Sequence, residues 1–287
     1  MPACRSGGWD LGVAATRSVI MTSPDLSTHK LIPVVREVAH EAGALAMRFF
    51  RSGLSTSARI WSKAGGSPVT EADIAVDTFL KIRLSEVLPE AGWLSEETAD
   101  DHRRLAKRLV WIVDPIDGTR AFLSGSHDWS VAIALLDECQ PVLGTVFAPA
   151  HETLFEAERG LGARRNGEPI AVSRAATLDG LSVAGPKPFV DRLANAEPSI
   201  KRPPRIPSLA LRICRVAEGS IDVGLVSAAA RDWDIAGADL ILREAGGCLS
   251  RLDGSPPDYN SAEPSHGELV AAPRHLLPGL LGAMGAS

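Results

Sequence analysis

Trp111-Ile112-Val113-Asp114-Pro115-Ile116-Asp117-Gly118-Thr119 decides the reading of this chain. Residues 109–113 are all apolar, which reads as a buried strand. The run ends in two carboxylates, Asp114 and Asp117, with Pro115 and Ile116 between them and Gly-Thr behind. Pro115 lacks the N–H that a sheet ladder needs, and Gly118 tolerates backbone angles that other residues avoid, so strand pairing is expected to stop here. Asp, Pro and Gly are also ordinary turn formers, and the segment alone is readable as a plain turn. Two acids at a strand end are costly to bury unless a positive charge neutralises them. A hard divalent cation, which prefers carboxylate and carbonyl oxygens, does so.

Working outward, apolar residues at Leu31, Val34, Val38, Ala42, Leu45 and Phe49 recur in steps of three and four and predict a helix. It should begin near Pro33 and end at Gly53. Thr70-Glu71-Ala72-Asp73 has the form of a capping box opening a second helix to about Leu88. Asp73 either stabilises that helix start or faces a site. Residues 92–95 form a short strand running into Glu96-Glu97, and the charged stretch 98–108 reads as a solvated helix or loop. Strands are expected over 129–137, 141–148 and 153–157, with a turn at 138–140. Gly160-Leu161-Gly162 is a turn, since it lacks the strand-to-helix context of a nucleotide fingerprint.

Beyond the Pro-rich loop 197–207 come a helix over 208–218, a strand over 221–226 and a helix over 234–245 stopped by Gly246-Gly247. Strands over 247–252 and 268–272 follow, then a last helix after Pro273. Residues 1–28 read as a disordered extension, with Met21 as an alternative start. Residues 29–175 read as an α+β half with an antiparallel sheet and most of the acids. Residues 176–287 read as an α/β half carrying Asp234. The natural packing is a layered α-β-α-β-α sandwich of combined α+β and α/β character.

The 287 residues are 45% hydrophobic and 23% charged, as in a soluble globular protein with a sizeable core. A net charge of −5 does not suit nucleic acid or anionic membrane as a partner. A small phosphorylated substrate stays compatible, because bound metals invert the local charge. Cys4, Cys139, Cys214 and Cys248 form no Cys-x-x-Cys pair and read as isolated thiols, consistent with a reducing cytoplasm. No apolar stretch reaches the ~18–20 residues that span a bilayer, and the first twenty residues make a poor signal peptide. A cytoplasmic protein is expected. The histidines show no zinc spacing, and Ser124-Gly125-Ser126-His127-Asp128 places its Ser, His and Asp too close in sequence to converge as a triad.

Asp73, Glu96, Asp114, Asp117 and Asp234 all stand at element ends, where loops carry function. Two divalent ions ~3.5–4 Å apart, held by such acids, clamp the attacking and leaving oxygens of an in-line displacement at phosphorus. Backbone amides after Asp117 are placed to bind phosphate oxygens where Gly118-Thr119 starts a new element.

Four stretches carry a resemblance. Residues 63–73 (KAGGSPVTEAD), 92–97 (GWLSEE), 111–122 (WIVDPIDGTRAF) and 233–247 (WDIAGADLILREAGG) resemble, in order and spacing, the signature blocks of the inositol monophosphatase superfamily of Mg2+-dependent, lithium-sensitive phosphatases. The resemblance covers roughly residues 31–286 and implies that family's five-layered sandwich and a homodimer. It implies that Glu96, Asp114 and the Ile116 carbonyl bind a first Mg2+, and that Asp114, Asp117 and Asp234 bind a second. A third ion would lie near Glu96, held largely by water. Thr119, oriented by Asp73, would align or deprotonate the attacking water, and the Gly118 and Thr119 amides would hold the phosphate of the substrate beside Asp117 and Asp234.

The substrate signals within the superfamily diverge. Ser67 replaces an acid found in many inositol phosphatases, Ser95 matches many bisphosphate nucleotidases, and Ser227 stands where inositol-specific members have a glutamate. Arg120 and the run Arg231-Asp232-Trp233-Asp234 resemble bacterial 3'(2'),5'-bisphosphate nucleotidases, whereas Phe122-Leu123-Ser124-Gly125 is also similar to histidinol-phosphate phosphatases. The reading is hydrolysis of adenosine 3',5'-bisphosphate, a product of sulfate assimilation, to AMP and phosphate. Inositol 1-phosphate and histidinol phosphate are the alternatives, and a non-catalytic phosphate-ligand binding protein is the alternative of another class. Arg120, Arg212, Arg231 and Lys187 are candidate contacts for a second phosphate, each otherwise a solvated surface cation.

Overall fold

The computed structural model describes residues 30–62 and 68–285. The extension assigned to 1–28, the alternative start at Met21 and the stretch 63–67 with Ser67 lie outside the described residues.

Helix α1 (Ile32–Met47) carries Pro33 in its first turn and stops before Phe49, whose carbonyl accepts from the Thr56 and Ser57 hydroxyls. The short strands β1 (Ile60–Ser62) and β2 (Pro68–Thr70) pair antiparallel and lead into α2 (Glu71–Val87). The capping box forms as read: Thr70 Oγ1 accepts from the Ala72 and Asp73 amides, and Asp73 Oδ2 accepts from the Thr70 amide at 2.7 Å.

Next come β3 (Gly92–Ser95), β4 (Leu109–Asp117), the six-residue helix α3 (Thr119–Ser124), β5 (Ser130–Asp137), β6 (Gln140–Ala148) and β7 (Thr153–Glu158). With β8 (Ala163–Arg165) and β9 (Glu168–Pro169) these strands make a seven-stranded sheet in sequential order, antiparallel except for the β3–β4 pair. The second half contributes β10 (Val183–Ala184), α4 (Lys187–Ala196), α5 (Leu209–Ala217), β11 (Val223–Val226), α6 (Asp232–Glu244), β12 (Gly247–Arg251), β13 (Leu269–Pro273) and α7 (Leu277–Ala283). Its four strands form a sheet in the order β10-β11-β13-β12.

Three clusters of buried apolar residues place the layers. Trp111, Val113, Val131, Ile133 and Leu135 of the large sheet pack with Val35, Val38, Val76 and Leu80 of α1 and α2. Their alternates Val110, Ile112, Ala132, Ala134 and Leu136 pack with Ile213, Val216, Ile235 and Ile241 of α5 and α6. The outer face of the small sheet, with Val183, Val223 and Val270, is covered by Val190, Leu193 and Leu280 of α4 and α7. The order is therefore α-β-α-β-α, as expected. Both faces of β4 and β5 are dry, which is why their sequences are apolar runs without polar alternation.

Three expectations are corrected. Strand β4 does not stop at Pro115 but continues to Asp117 through a register shift against β5. The charged stretch 98–108 is not simply solvated: Arg104, in a single 3-10 turn (Arg103–Ala106), is 2% exposed. Cys214 and Cys248 are free and buried, but Cys139 is disulfide-bonded, contrary to the isolated-thiol reading.

Candidate metal centre

The register shift builds the centre. Asp114 pairs with Ala132 and Asp117 with Ser130, so β4 advances three residues while β5 advances two. In a regular strand, residues three apart point to opposite faces. The bulge absorbs the extra residue at Pro115-Ile116 and turns both carboxylates to one side. Asp234, in the first turn of α6, meets them from the other half. Oxygens of Asp114, Asp117 and Asp234 lie within 4.8 Å of one another.

Each carboxylate is fixed by backbone donors. Asp114 Oδ1 accepts from the Ile116 amide at 3.0 Å, and Asp234 Oδ2 accepts from the Arg231 amide at 2.7 Å. Asp117 is held by the first turn of α5: the Leu209 amide donates to Oδ1 at 3.1 Å, and the Ala210 amide at 2.7 Å and the Ser208 hydroxyl to Oδ2. A helix N-terminus favours such an anion.

Burial and crowding oppose ionisation here. Burial foremost, then Glu96, Asp117, Asp234 and Asp73, holds the Asp114 carboxyl well above the usual range. Burial and the neighbouring Asp117 raise Asp234 likewise. Burial pushes Asp117 only to about 6, because Ser208, the Ala210 and Leu209 amides and Arg212 favour its charged form. An all-oxygen donor set that resists ionisation until positive charge arrives fits a hard divalent cation such as Mg2+.

The sign of the linkage is testable. A carboxyl whose folded-state value is raised holds its proton in the folded chain above the ordinary ~3.9, so stability is greatest at acid pH and is lost as pH rises through the raised value. The metal-free protein should therefore lose stability through pH 6. The Mg2+-induced rise in Tm should be small at pH 5 and larger at pH 8. A shift independent of pH in thermal melts would argue against these carboxylates as ligands.

Around the three acids the other predicted residues take distinct places. Glu96, half-buried after β3, lies outside the tight trio, but its charge acts on Asp114 and Asp234. Its segment is tied to α2 by the Ser95 hydroxyl and by Thr98 Oγ1 at 2.7 Å, both donating to Asp77. Asp73 is 1% exposed, and its Oδ2 also accepts from Thr70 Oγ1 at 2.6 Å. Thr119 Oγ1 donates to the Ile116 carbonyl at 3.2 Å. Gly118 has φ +89, and a Cβ there would meet the Asp128 carbonyl oxygen at 3.1 Å and Ser208 Cα at 3.2 Å, so this turn requires glycine.

Of the four candidate cations, one departs from expectation. Arg212 is 8% exposed and donates to the Ile206 carbonyl through Nε at 3.2 Å and Nη2 at 2.8 Å, and to the Leu225 carbonyl through Nη1 at 3.0 Å. It is an internal brace rather than a surface cation. Lys187 pairs with Asp191 and Arg231 with Glu263, while Arg120 is exposed. Sequence reasoning missed Asp77 and Ser208. The only local signal for Ser208 is an N-cap residue type directly after the Pro-rich loop.

Residues 29–286 match the model of the Inositol monophosphatase family. The chain is 30% identical over 261 residues to the 3'(2'),5'-bisphosphate nucleotidase CysQ of Aggregatibacter actinomycetemcomitans, covering 84% of this chain and 91% of that one. It is 35% identical over 224 residues to a histidinol-phosphatase of Mycobacterium tuberculosis, covering 74% and 82%. Its fold superposes on an inositol monophosphatase from Zymomonas mobilis with a TM-score of 0.74 at 27% identity, covering 91% of this chain and all of that one. With the family match spanning both halves and the fold shared with a solved member, this chain belongs to the inositol monophosphatase family.

Proposed function

We propose that this phosphoric monoester hydrolase takes adenosine 3',5'-bisphosphate to AMP and phosphate, as a homodimer. The convergence of Asp114, Asp117 and Asp234 from two halves of the chain carries the hydrolase reading. Glu96, Asp114 and the Ile116 carbonyl would hold one Mg2+, and Asp114, Asp117 and Asp234 a second, with a third near Glu96. When bound, the ions neutralise phosphate charge and lower the pKa of a water.

The chain's own groups do the rest. The Gly118 and Thr119 amides hold the phosphate oxygens. Thr119 Oγ1, which in the metal-free chain donates to the Ile116 carbonyl, would turn to align the attacking water, with Asp73, locked by Thr70, as the group that orients it. The water oxygen forms the new P–O bond, the ester P–O bond breaks, and the leaving sugar oxygen takes up a proton.

Support for the nucleotide is the likeness to the nucleotidase, together with the exposed Ser227 where a ring-gripping glutamate would favour inositol. The 35% identity to a histidinol-phosphatase favours histidinol phosphate as the second reading. A panel of the bisphosphate, inositol 1-phosphate and histidinol phosphate, compared by kcat/KM with Mg2+, decides. A preference of about ten-fold or more for the bisphosphate is expected, a size within reach of pocket contacts. A like preference for histidinol phosphate would replace the nucleotide, and release from none of the three would overturn the reading.

A further inference from the structure

A buried polar chain runs from the Glu96 segment to the start of α6. Arg104 donates to Asp100 Oδ2 through Nε at 3.0 Å and Nη2 at 2.7 Å, to Asn260 Oδ1 through Nη1 at 2.5 Å, and to the Ser261 carbonyl through Nη2 at 2.9 Å. Asn260 is 5% exposed and sits at φ +60. Its amide donates to Asp232 Oδ2 at 2.8 Å. Asp232, fully buried and first in α6, also has His266 Nε2 2.7 Å from its Oδ1. Two residues further on is Asp234; at the other end, Asp100 lies four residues beyond Glu96.

A buried arginine and a buried aspartate are tolerated only when fully paired, and a fully paired network rigidifies the segments it joins. Here both are paired through one residue. Asn260 uses its side chain toward one segment and its backbone toward the other, in a left-handed conformation that asparagine accepts better than most residues. The joined segments are the two walls of a cavity of about 280 Å³ lined by Glu96, Thr98, Asp100, Arg231, Trp233 and Glu263. Neither Asp73 nor Asp117 depends on this strap, since they are fixed by Thr70 and by α5.

We propose that Arg104 and Asn260 are positioning residues that hold Glu96 and Asp234 at the separation the divalent ions need. The inference rests on the reading of Glu96 and Asp234 as ligands. Neither positioning residue touches an ion. They act by keeping ligands from two distant parts of the chain in place before the ion arrives, and outer partners of this kind change metal affinity about 10–100-fold.

Asn260→Gly keeps the left-handed backbone and the amide bond to Asp232 and removes only the acceptor for Arg104. Asn260→Asp restores an acceptor at the same place. Calorimetric Mg2+ titration of the full chain is expected to show binding weakened about ten-fold in N260G, with a metal-free Tm lowered by a few degrees because buried Arg104 loses an acceptor, and both recovered in N260D, binding to within about two-fold. Arg104→Lys, which keeps the charge but not the fork, should weaken binding in the same direction and serves if N260G does not fold. Parent-like binding in N260G or R104K, or N260D as weak as N260G, would overturn the proposal while leaving the hydrolase reading intact. If the parent chain itself takes up no Mg2+, the ligand reading fails and the proposal falls with it.

Discussion

Asp114→Asn is expected to reduce Mg2+-dependent phosphate release by about a thousand-fold or more, while making the metal-free protein more stable. The two effects share a cause. Asp114 is the carboxylate on which Glu96, Asp117, Asp234 and Asp73 all act, and each raises its affinity for a proton. Asparagine preserves the shape and an oxygen for the Ile116 amide but deletes the charge. Without metal, that deletion removes the cost of burying or neutralising a carboxyl in this site and should stabilise by ~1–2 kcal/mol, a few degrees in Tm. With metal, it removes the anion common to both proposed ion positions. Turnover assays and melts with and without Mg2+ read the two effects separately. Near-normal turnover would sink the two-ion mechanism, and loss of stability in the metal-free state would make Asp114 a folding residue.

Gly144→Ala should damage the core severely for so small a change. A Cβ at Gly144 would stand 2.4 Å from the Gly237 carbonyl oxygen and 3.1 Å from its Cα. In return, a Cβ at Gly237 would stand 2.8 Å from the Ile133 carbonyl oxygen. Helix α6 thus lies backbone against backbone on β5 and β6, and no flexible side chain can yield. Overpacking commonly costs ~1–3 kcal/mol, and contact with rigid backbone puts this case near ~3 kcal/mol, roughly 6–12 °C in Tm. Because α6 carries Asp234 in its first turn, lifting it should also weaken Mg2+ binding. Gly267→Ala, where a Cβ meets nothing within 4 Å, is the control. A Tm for Gly144→Ala equal to that of the control would contradict the close approach.

Local physics was legible in the chain. The capping box at Thr70, the apolar runs of β4 to β7, and the glycines closing α6 each depend on a few neighbouring residues, and each formed as read. The five-layer packing followed from the mix of helices and strands in the two halves and from the family resemblance. The site was legible as a set of acids at element ends, and the structure brings Asp114, Asp117 and Asp234 together.

What stayed hidden depends on partners far along the chain. The bulge at Pro115 is defined by its register against β5, and nothing in residues 111–119 states that register. Arg104 looked solvated because its partner Asn260 is 156 residues away. Arg212 looked like a surface cation because the carbonyls it braces belong to a loop before its helix and to β11, beyond reach of a local reading. The substrate was hidden for another reason. Relatives with different activities match this chain at similar identity, so the family's shared features do not separate one phosphate ester from another.

The dryness of both faces of β4 has a consequence for descent. In a sheet with one wet face, adding or deleting a residue trades one buried row for a polar one, and a bulge can sometimes absorb the error. In β4 the rows of Val110 and Ile112 and of Trp111 and Val113 fill two different cores, built for different volumes. A one-residue indel would exchange the two rows at once and carry the Asp114 carboxylate to the wrong side. Lineages descending from this chain are free to trade one aliphatic for another in β4 but not to change its length.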